Sequence, residues 1–316
     1  MARQKSPRGG ALIEAKNAVR GSLDAEGNIG PAVAFARSRL SPSQYPDFVR
    51  WLKGIGPHGR DIWKGRATGI EELVPDMAPV PASLERELAW AAALLQTESE
   101  LLRQFVSWRD KIQQAVLSGN FPLAERLLDQ MEQATGASLW LIEARIAVLQ
   151  RSKGLEGQKA YVRSLNERHP NGFAAVVGYH VSGRNEDSAT ANRFTSTFLS
   201  SLDKWSIPMA LKDYLSFRVV GRSPPSPSRL SSVLAIASML SAVDLYTAFT
   251  EVVHVMTGHS FGSVNGNRVA NSVRMLSPIG DSTLLNAIAF FDKDFALSLL
   301  PSFQRVANTQ HLLEGD

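Results

Sequence analysis

Residues 98–169 constrain the fold most strongly, because apolar side chains recur there at helical spacing and clear breaks separate the runs. In the first run the apolar residues lie three or four positions apart, which places them on one face of a helix. These residues are Leu101, Phe105, Trp108, Ile112 and Ala115. Ser118, Gly119 and Asn120 predict the end of this helix, and Pro122 is accepted in the first turn of the next one.

Three further helices are predicted after this turn. The second helix carries Leu123, Ala124, Leu127, Leu128 and Met131. The third helix ends near Gly154 and carries Leu139, Ile142, Ile146 and Leu149. The fourth helix ends before Pro170 and carries Ala160, Tyr161 and Leu165. Because only short breaks separate these helices, the region is predicted to form two antiparallel helix pairs.

The first helix pair resembles a tetratricopeptide repeat. Trp108, Gly119, Phe121 and Ala124 have the spacing of the family's tryptophan, its turn glycine, its aromatic residue and the small alanine of its second helix. The matching unit covers residues 105–138. The resemblance implies an array of helical hairpins whose stacked helices present a concave binding face.

The resemblance is confined to one good unit. Lys111 and Ile112 stand where the family has leucine and glycine. Gly119 and Gly154 are 35 residues apart, close to the family period of about 34 residues. Ala160 then lies one position too far from its glycine, so the second unit is degenerate. Ordinary helical hairpins remain the alternative interpretation.

The whole chain is predicted to be all-α, because no segment alternates polar and apolar residues over five positions as a strand would. We expect a multi-helical array of antiparallel helix hairpins with a tetratricopeptide-like centre, a small N-terminal helical cap and a C-terminal helical region. Residues 1–82 contain a basic tail, the cap and a Gly/Pro-rich loop that separates the cap from the body. Residues 83–221 form the helical-repeat body. Residues 222–316 contain a Pro/Ser linker and the C-terminal helices.

The composition excludes several classes of protein. The 316 residues include no cysteine, which excludes disulfides and thiolate chemistry and favours a cytoplasmic protein. The most apolar stretch, residues 230–243, is shorter than the roughly 20 residues that span a bilayer. Charged residues follow the basic N-terminus at Glu14, Lys16 and Arg20, so neither a signal peptide nor a membrane partner is expected.

One motif suggests an enzyme. Residues 258–262 read Gly-His-Ser-Phe-Gly, which fits the G-x-S-x-G nucleophile elbow and makes Ser260 a candidate catalytic serine. In these five residues the chain resembles an α/β-hydrolase, and acids and a histidine follow in the required order. They are Asp281, Asp292, Asp294 and His311. That fold needs parallel strands before the serine, whereas the preceding chain predicts helices. A serine hydrolase therefore ranks third among the functional hypotheses, after the two that are described below.

No metal or cofactor site is predicted. His254 and His259 are five positions apart, so their imidazoles do not stack on one helical turn, and no glutamate accompanies them as in a zinc protease helix. Glycines in residues 54–59 have the spacing of a dinucleotide loop, but Pro57 interrupts them and no strand precedes them. These patterns favour neither zinc nor a nucleotide cofactor.

Positive charge is concentrated near the N-terminus. Residues 1–82 contain 12 Lys or Arg and 8 Asp or Glu, whereas the two signs balance in the rest of the chain. Arg60, Trp63, Lys64 and Arg66 cluster in the Gly/Pro-rich loop. Cations can contact phosphates and an indole ring can stack on a base. Nucleic-acid binding through the basic N-terminal segment, with these four residues as candidate contacts, is therefore the second functional alternative.

The function that the sequence favours is non-enzymatic protein–protein interaction, as a scaffold or adaptor within a larger complex. Helical repeat arrays act in this way because stacked hairpins leave one face of their inner helices open to a partner. The residues predicted for partner binding or repeat packing are Trp108, Gly119, Phe121, Ala124 and Trp140.

Overall fold

A computed structural model of the protein describes residues 7–25, 29–55, 63–75, 80–186, 190–221, 226–258 and 264–291. Within these ranges the chain forms 14 α-helices and no β-strand, which confirms the all-α prediction. The helices are α1 (Pro7–Asp24), α2 (Gly30–Arg39), α3 (Tyr45–Lys53), α4 (Leu84–Gln96), α5 (Ser99–Leu117), α6 (Phe121–Thr135), α7 (Leu139–Arg168), α8 (Phe173–Arg184), α9 (Ala191–Lys204), α10 (Met209–Leu215), α11 (Pro227–Ala237), α12 (Ala242–Gly258), α13 (Gly266–Arg274) and α14 (Ser282–Phe291). A five-residue π-helical turn, Ser216–Val220, follows α10.

The central hairpin of α5 and α6 forms where the sequence predicts it. The chain reverses at Gly119, whose φ of 72° is a conformation that favours glycine. Asn120 then caps α6 by accepting a hydrogen bond from the Leu123 N–H at 3.2 Å. The apolar faces that the 3.6-residue period identifies are buried on both helices. They include Phe105, Ile112, Ala115, Ala124 and Leu128.

Ion pairs show that α6 and α7 run in opposite directions. Arg145 places Nη1 at 2.7 Å from Asp129 Oδ1 and Nη2 at 2.9 Å from Glu132 Oε2. Further along α7, Lys153 Nζ lies 2.6 Å from Glu125 Oε2. A later residue of α7 therefore meets an earlier residue of α6, as an antiparallel pair requires.

The next two helices also agree with their prediction. Gly154 interrupts α7 with φ of 68° and ψ of −163°, so the predicted third and fourth helices are present as two parts of one element. Helix α8 packs closely on α7, because a Cβ at Gly178 would lie 3.0 Å from Leu165 Cδ1 and 3.4 Å from Ile142 Cγ2. The absence of a side chain at Gly178 thus allows α8 to approach α7 closely.

The C-terminal apolar stretch forms two helices rather than one. Helix α11 ends at Ala237, and α12 begins at Ala242. The side chain of Ser241 accepts a hydrogen bond from the Asp244 N–H at 3.2 Å, which satisfies one of the backbone donors at the start of α12. The break between the two helices is therefore set by a local capping interaction.

The loop at residues 63–75 is hydrogen-bonded to both the body and the C-terminal region. The Gly65 carbonyl oxygen accepts a hydrogen bond from the Ala242 N–H at 2.6 Å. The Ala67 carbonyl oxygen accepts one from the Ala137 N–H at 2.9 Å. The loop therefore connects the turn between α6 and α7 to the first residue of α12.

A single hydrophobic core extends through all three predicted segments. It includes Phe48 from the N-terminal cap, Phe105 from the body and Phe249 from the C-terminal region. The hydrophobic core is therefore continuous across the predicted boundaries near residues 82 and 221. Among the described residues, no helix combines the length and apolarity needed to cross a membrane.

Candidate functional site

The residues predicted for partner binding or repeat packing lie on the central hairpin, except for Trp140 at the start of α7, and most of them are at least half-buried. Ala124 is fully buried, whereas Trp108, Phe121 and Trp140 are each half-buried. Gly119 is exposed in the turn, and a Cβ added there would meet no neighbouring atom within 4 Å. The Trp108 ring is covered in part by Lys111, whose Nζ lies 4.9 Å from the ring centroid.

Trp140 occupies a structural position at the start of α7. Its ring packs edge-on against Phe105 with the two centroids 5.0 Å apart. Its backbone N–H donates a hydrogen bond to Asp244 Oδ1 at 3.1 Å. These contacts fasten α7 to α5 and α12, so the ring contributes to packing between the body and the C-terminal helices.

A different region has the form of a binding site. A groove of about 990 Å³ lies between the second half of α7, helix α8 and helix α9. Most of its exposed lining is apolar. Its volume is at the upper end of the range of about 300 to 1,000 Å³ that is usual for small-molecule sites. An open groove of this size is suited to a peptide segment.

Aromatic rings form the floor of the groove. The His180 ring lies 4.8 Å from Phe198 and 5.5 Å from Trp205, measured between ring centroids. Phe194 stacks parallel to Phe198 at 6.0 Å. Tyr179 is 66% exposed beside this cluster, with its ring 5.1 Å from that of His180. An aromatic residue this exposed, next to other aromatic rings, offers apolar area to a partner.

Burial determines the protonation of the central histidine. Removal from water disfavours the charged imidazolium and lowers the pKa of His180 below its ordinary value. The ring is therefore neutral at pH 7, with one nitrogen that can donate a hydrogen bond and one that can accept. A neutral imidazole leaves the floor of the groove uncharged.

Polar groups border the groove on the α7 side. Lys159 Nζ lies 3.4 Å from Glu186 Oε1, so these two opposite charges are paired. Arg163 is exposed one turn further along α7. Asn166 Oδ1 accepts a hydrogen bond from the Asn171 N–H at 3.1 Å. Arg163 thus gives this edge of the groove a positive character.

Sequence reasoning missed the groove because no local pattern joins its parts. Tyr179 and His180 belong to α8, whereas Phe194, Phe198 and Trp205 belong to α9 or the residue after it. Only tertiary packing brings the two sets together. The high density of aromatic residues between positions 173 and 205 was the signal that could have identified this region.

The four residues predicted to bind nucleic acid have other roles where the structure describes them. Trp63 is only 6% exposed, so its ring is not available to stack on a base, which corrects that part of the prediction. Lys64 Nζ donates a hydrogen bond to the Glu72 carbonyl oxygen at 2.8 Å. Arg66 is exposed and donates to the Gln133 carbonyl oxygen. Arg60 lies outside the described residues.

The proposed nucleophile elbow has a helical environment. Ser260 and the rest of residues 259–263 lie outside the described residues. The apolar run before them belongs to α12, where a hydrolase needs a strand, and α13 begins at Gly266. In the part of the chain that the structure describes, no group of three His, Asp or Glu side chains is placed to hold a metal ion.

Asp281, one of the candidate acids for a hydrolase, lies in an ion-pair network. Arg109 Nη1 and Nη2 donate hydrogen bonds to its carboxylate at 2.8 and 3.2 Å, and the Tyr246 hydroxyl donates at 2.6 Å. The Thr283 N–H donates a further bond at 2.9 Å. Burial raises the pKa of Asp281, but the hydrogen bonds outweigh burial and hold it below the ordinary value. The network joins α5, α12 and α14.

No protein-family model, curated protein or solved structure matches this chain. The similarity of residues 105–138 to a tetratricopeptide repeat therefore remains an inference from the sequence alone. The feature of the molecule that points to a function is the geometry of the groove.

Proposed function

We propose that the protein is a non-enzymatic interaction scaffold that binds a peptide segment of a partner protein in the groove between α7, α8 and α9. The observation that supports this most strongly is the exposed Tyr179 beside the aromatic floor of the groove. Tyrosine is among the residues that are enriched at the energetic hot spots of protein interfaces. In this proposal the hairpins of the body act as the rigid frame of the groove.

The lining of the groove defines the chemistry of the bound segment. Phe198 and Trp205 lie below a mainly apolar opening, which favours a large apolar or aromatic anchor residue in the peptide. Arg163 stands on the α7 edge, which favours a carboxylate near that anchor. We therefore expect the partner segment to combine an apolar anchor with an acidic residue.

A peptide selection tests this proposal. A random peptide library displayed on phage is selected against the immobilised full chain, and dissociation constants of the enriched peptides are measured by fluorescence anisotropy. We expect a large apolar residue close to Asp or Glu in the enriched peptides. Tyr179→Ala should weaken their binding by about tenfold or more, since truncating an interface hot spot costs more than about 1.4 kcal/mol.

The control variant is Leu117→Ala. Leu117 is 88% exposed at the end of α5 and does not line the groove, so this change should leave the affinity unaltered. The proposal is wrong if no peptide is enriched, or if the enriched peptides bind Tyr179→Ala as tightly as the unaltered chain.

A further inference from the structure

A second, smaller pocket combines charged groups from four elements. It has a volume of about 480 Å³ and is bounded by α7, α8, the π-helical turn and α12. The charged side chains that line it are Glu143, Arg184, Arg218 and Glu251. His254 is a further lining residue with an ionisable side chain. The pocket lies apart from the aromatic groove, because none of these residues lines that groove.

The π-helical turn is the structural feature that places Arg218 in this pocket. π-Helices are rare and occur frequently at functional sites. Arg184 stabilises the turn from α8, because its Nη1 donates a hydrogen bond to the Val219 carbonyl oxygen at 2.9 Å. The turn ends at Gly221, which has φ of 67° and therefore the left-handed conformation that favours glycine.

Arg218 is surrounded by carboxylates and yet incompletely satisfied. It is only 5% exposed, and its Nε lies 2.6 Å from Glu143 Oε1 while its Nη1 lies 3.7 Å from Glu251 Oε1. Its Nη2 is buried and has no hydrogen-bond acceptor among the described residues. Buried donors of this kind are normally paired. Among the described residues, Arg218 thus lines the pocket with one buried guanidinium donor that has no protein acceptor.

The signs of the lining charges limit what this pocket can bind. Glu143 and Glu251 are acidic, whereas Arg184 and Arg218 are basic, so the two signs are present in equal number. A ligand with only positive charge would be repelled by the arginines, and one with only negative charge by the glutamates. Electrostatic complementarity is best for a molecule that has both signs close together.

We propose that this pocket binds a small zwitterion of the α-amino acid class. The ligand ammonium faces the carboxylates of Glu143 and Glu251, and the ligand carboxylate faces the guanidinium groups of Arg184 and Arg218. Arginine suits the second role because its planar donors match carboxylate geometry. The pocket volume is in the range of small-molecule sites. This site is independent of peptide binding in the groove.

Thermal unfolding of the full chain tests the site. Each of the twenty standard amino acids is added separately at increasing concentration, with sodium acetate and ethylammonium chloride as probes that have only one of the two charges. We expect at least one amino acid to raise the Tm in a saturable manner, since a ligand that binds only the folded state stabilises it by mass action. Acetate and ethylammonium should have no saturable effect.

Glu251→Gln is the informative variant, because this side chain is half exposed and its replacement keeps the shape of the residue. It should weaken the amino-acid effect at least tenfold and leave peptide binding to the groove unchanged. Glu186→Gln, which alters a carboxylate of the groove, should leave the amino-acid effect intact. The proposal is overturned if no amino acid raises the Tm, if acetate or ethylammonium alone reproduces the rise, or if Glu251→Gln responds like the unaltered chain.

Discussion

Replacing Asp281 by Asn should destabilise the fold by about 3 kcal/mol, because removing one partner of a buried ion pair costs roughly 3 to 5 kcal/mol. The Asp281 side chain is fully buried, and Arg109 is mostly buried beside it. Arg109 keeps a second, more exposed partner in Asp110 at 2.9 Å, which places the expected cost at the lower end of that range. The free energy of unfolding from urea titration measures the effect.

The same substitution should change the pH dependence of stability. Because the pKa of Asp281 is lower in the folded protein than in the unfolded chain, its stabilising contribution is complete above the ordinary value of 3.8. The contribution is lost as the pH falls through the lower, folded-state pKa. Asp281→Asn should therefore weaken the acid dependence of unfolding below about pH 4.

Asp110→Asn provides a matched control for this network. It removes the other carboxylate partner of Arg109, but Asp110 is well exposed and exposed ion pairs contribute at most about 1 kcal/mol. If Asp110→Asn proves as destabilising as Asp281→Asn, the central role assigned to Asp281 is incorrect.

Phe105→Ala should cost about 3 to 5 kcal/mol, the usual range for truncating a buried aromatic residue. Phe105 is fully buried, and its ring packs edge-on against those of Trp140 and Tyr246, at centroid distances of 5.0 and 6.1 Å. Its removal leaves a cavity where α5, α7 and α12 meet. Chemical denaturation of the variant gives the change in the free energy of unfolding directly.

The stability of Trp108→Ala shows whether the Trp108 side chain is half-buried, as in the structure, or packed between helices, as the repeat pattern predicts. The pattern predicts that Trp108 packs between helices, whereas its ring is only half-buried. We expect a cost of about 1 to 2 kcal/mol, since only part of the apolar area of the side chain leaves water. A cost equal to or above that of Phe105→Ala would contradict the packing described for α5.

The helices were predictable because their signals are local. The apolar period of α5, the turn at Gly119 and the proline at position 122 determine the central hairpin within about 25 residues of chain. The interruption of α7 at Gly154 was predictable for the same reason. Each of these features depends on backbone preferences or on side chains three or four positions apart.

The loop at residues 63–75 was predicted less well, because its contacts are distant in sequence. Glycines and prolines indicated a loop that separates two units, but Trp63 is buried and the Gly65 carbonyl oxygen accepts a hydrogen bond from Ala242. The neighbouring cation Lys64 likewise donates to a backbone carbonyl oxygen of the same loop. The pattern of cations around a tryptophan therefore did not show that Trp63 is buried or that Lys64 is hydrogen-bonded within the loop.

The aromatic density of residues 173–205 marks the region of the groove, but the geometry of neither candidate pocket follows from a sequence pattern. The groove depends on the packing of α8 against α9, and the charged pocket depends on a π-helical turn that no residue pattern specifies. Arg218 and Glu143 are 75 positions apart in the sequence, so only the fold shows that their side chains meet. Local periodicity therefore predicts the elements, whereas long-range packing creates the sites.

Indole N–H resonances can distinguish peptide binding in the groove from peptide binding at the central hairpin. The chain has six tryptophans, of which Trp205 lines the groove, Trp108 lies on the central hairpin and Trp140 lies at the start of α7. Two-dimensional nitrogen–proton NMR spectra are recorded as a selected peptide is added, with assignments from single Trp→Phe variants. We predict that the Trp205 signal shifts and those of Trp108 and Trp140 do not. Shifts at Trp108 or Trp140 with an unchanged Trp205 signal would contradict peptide binding in the groove.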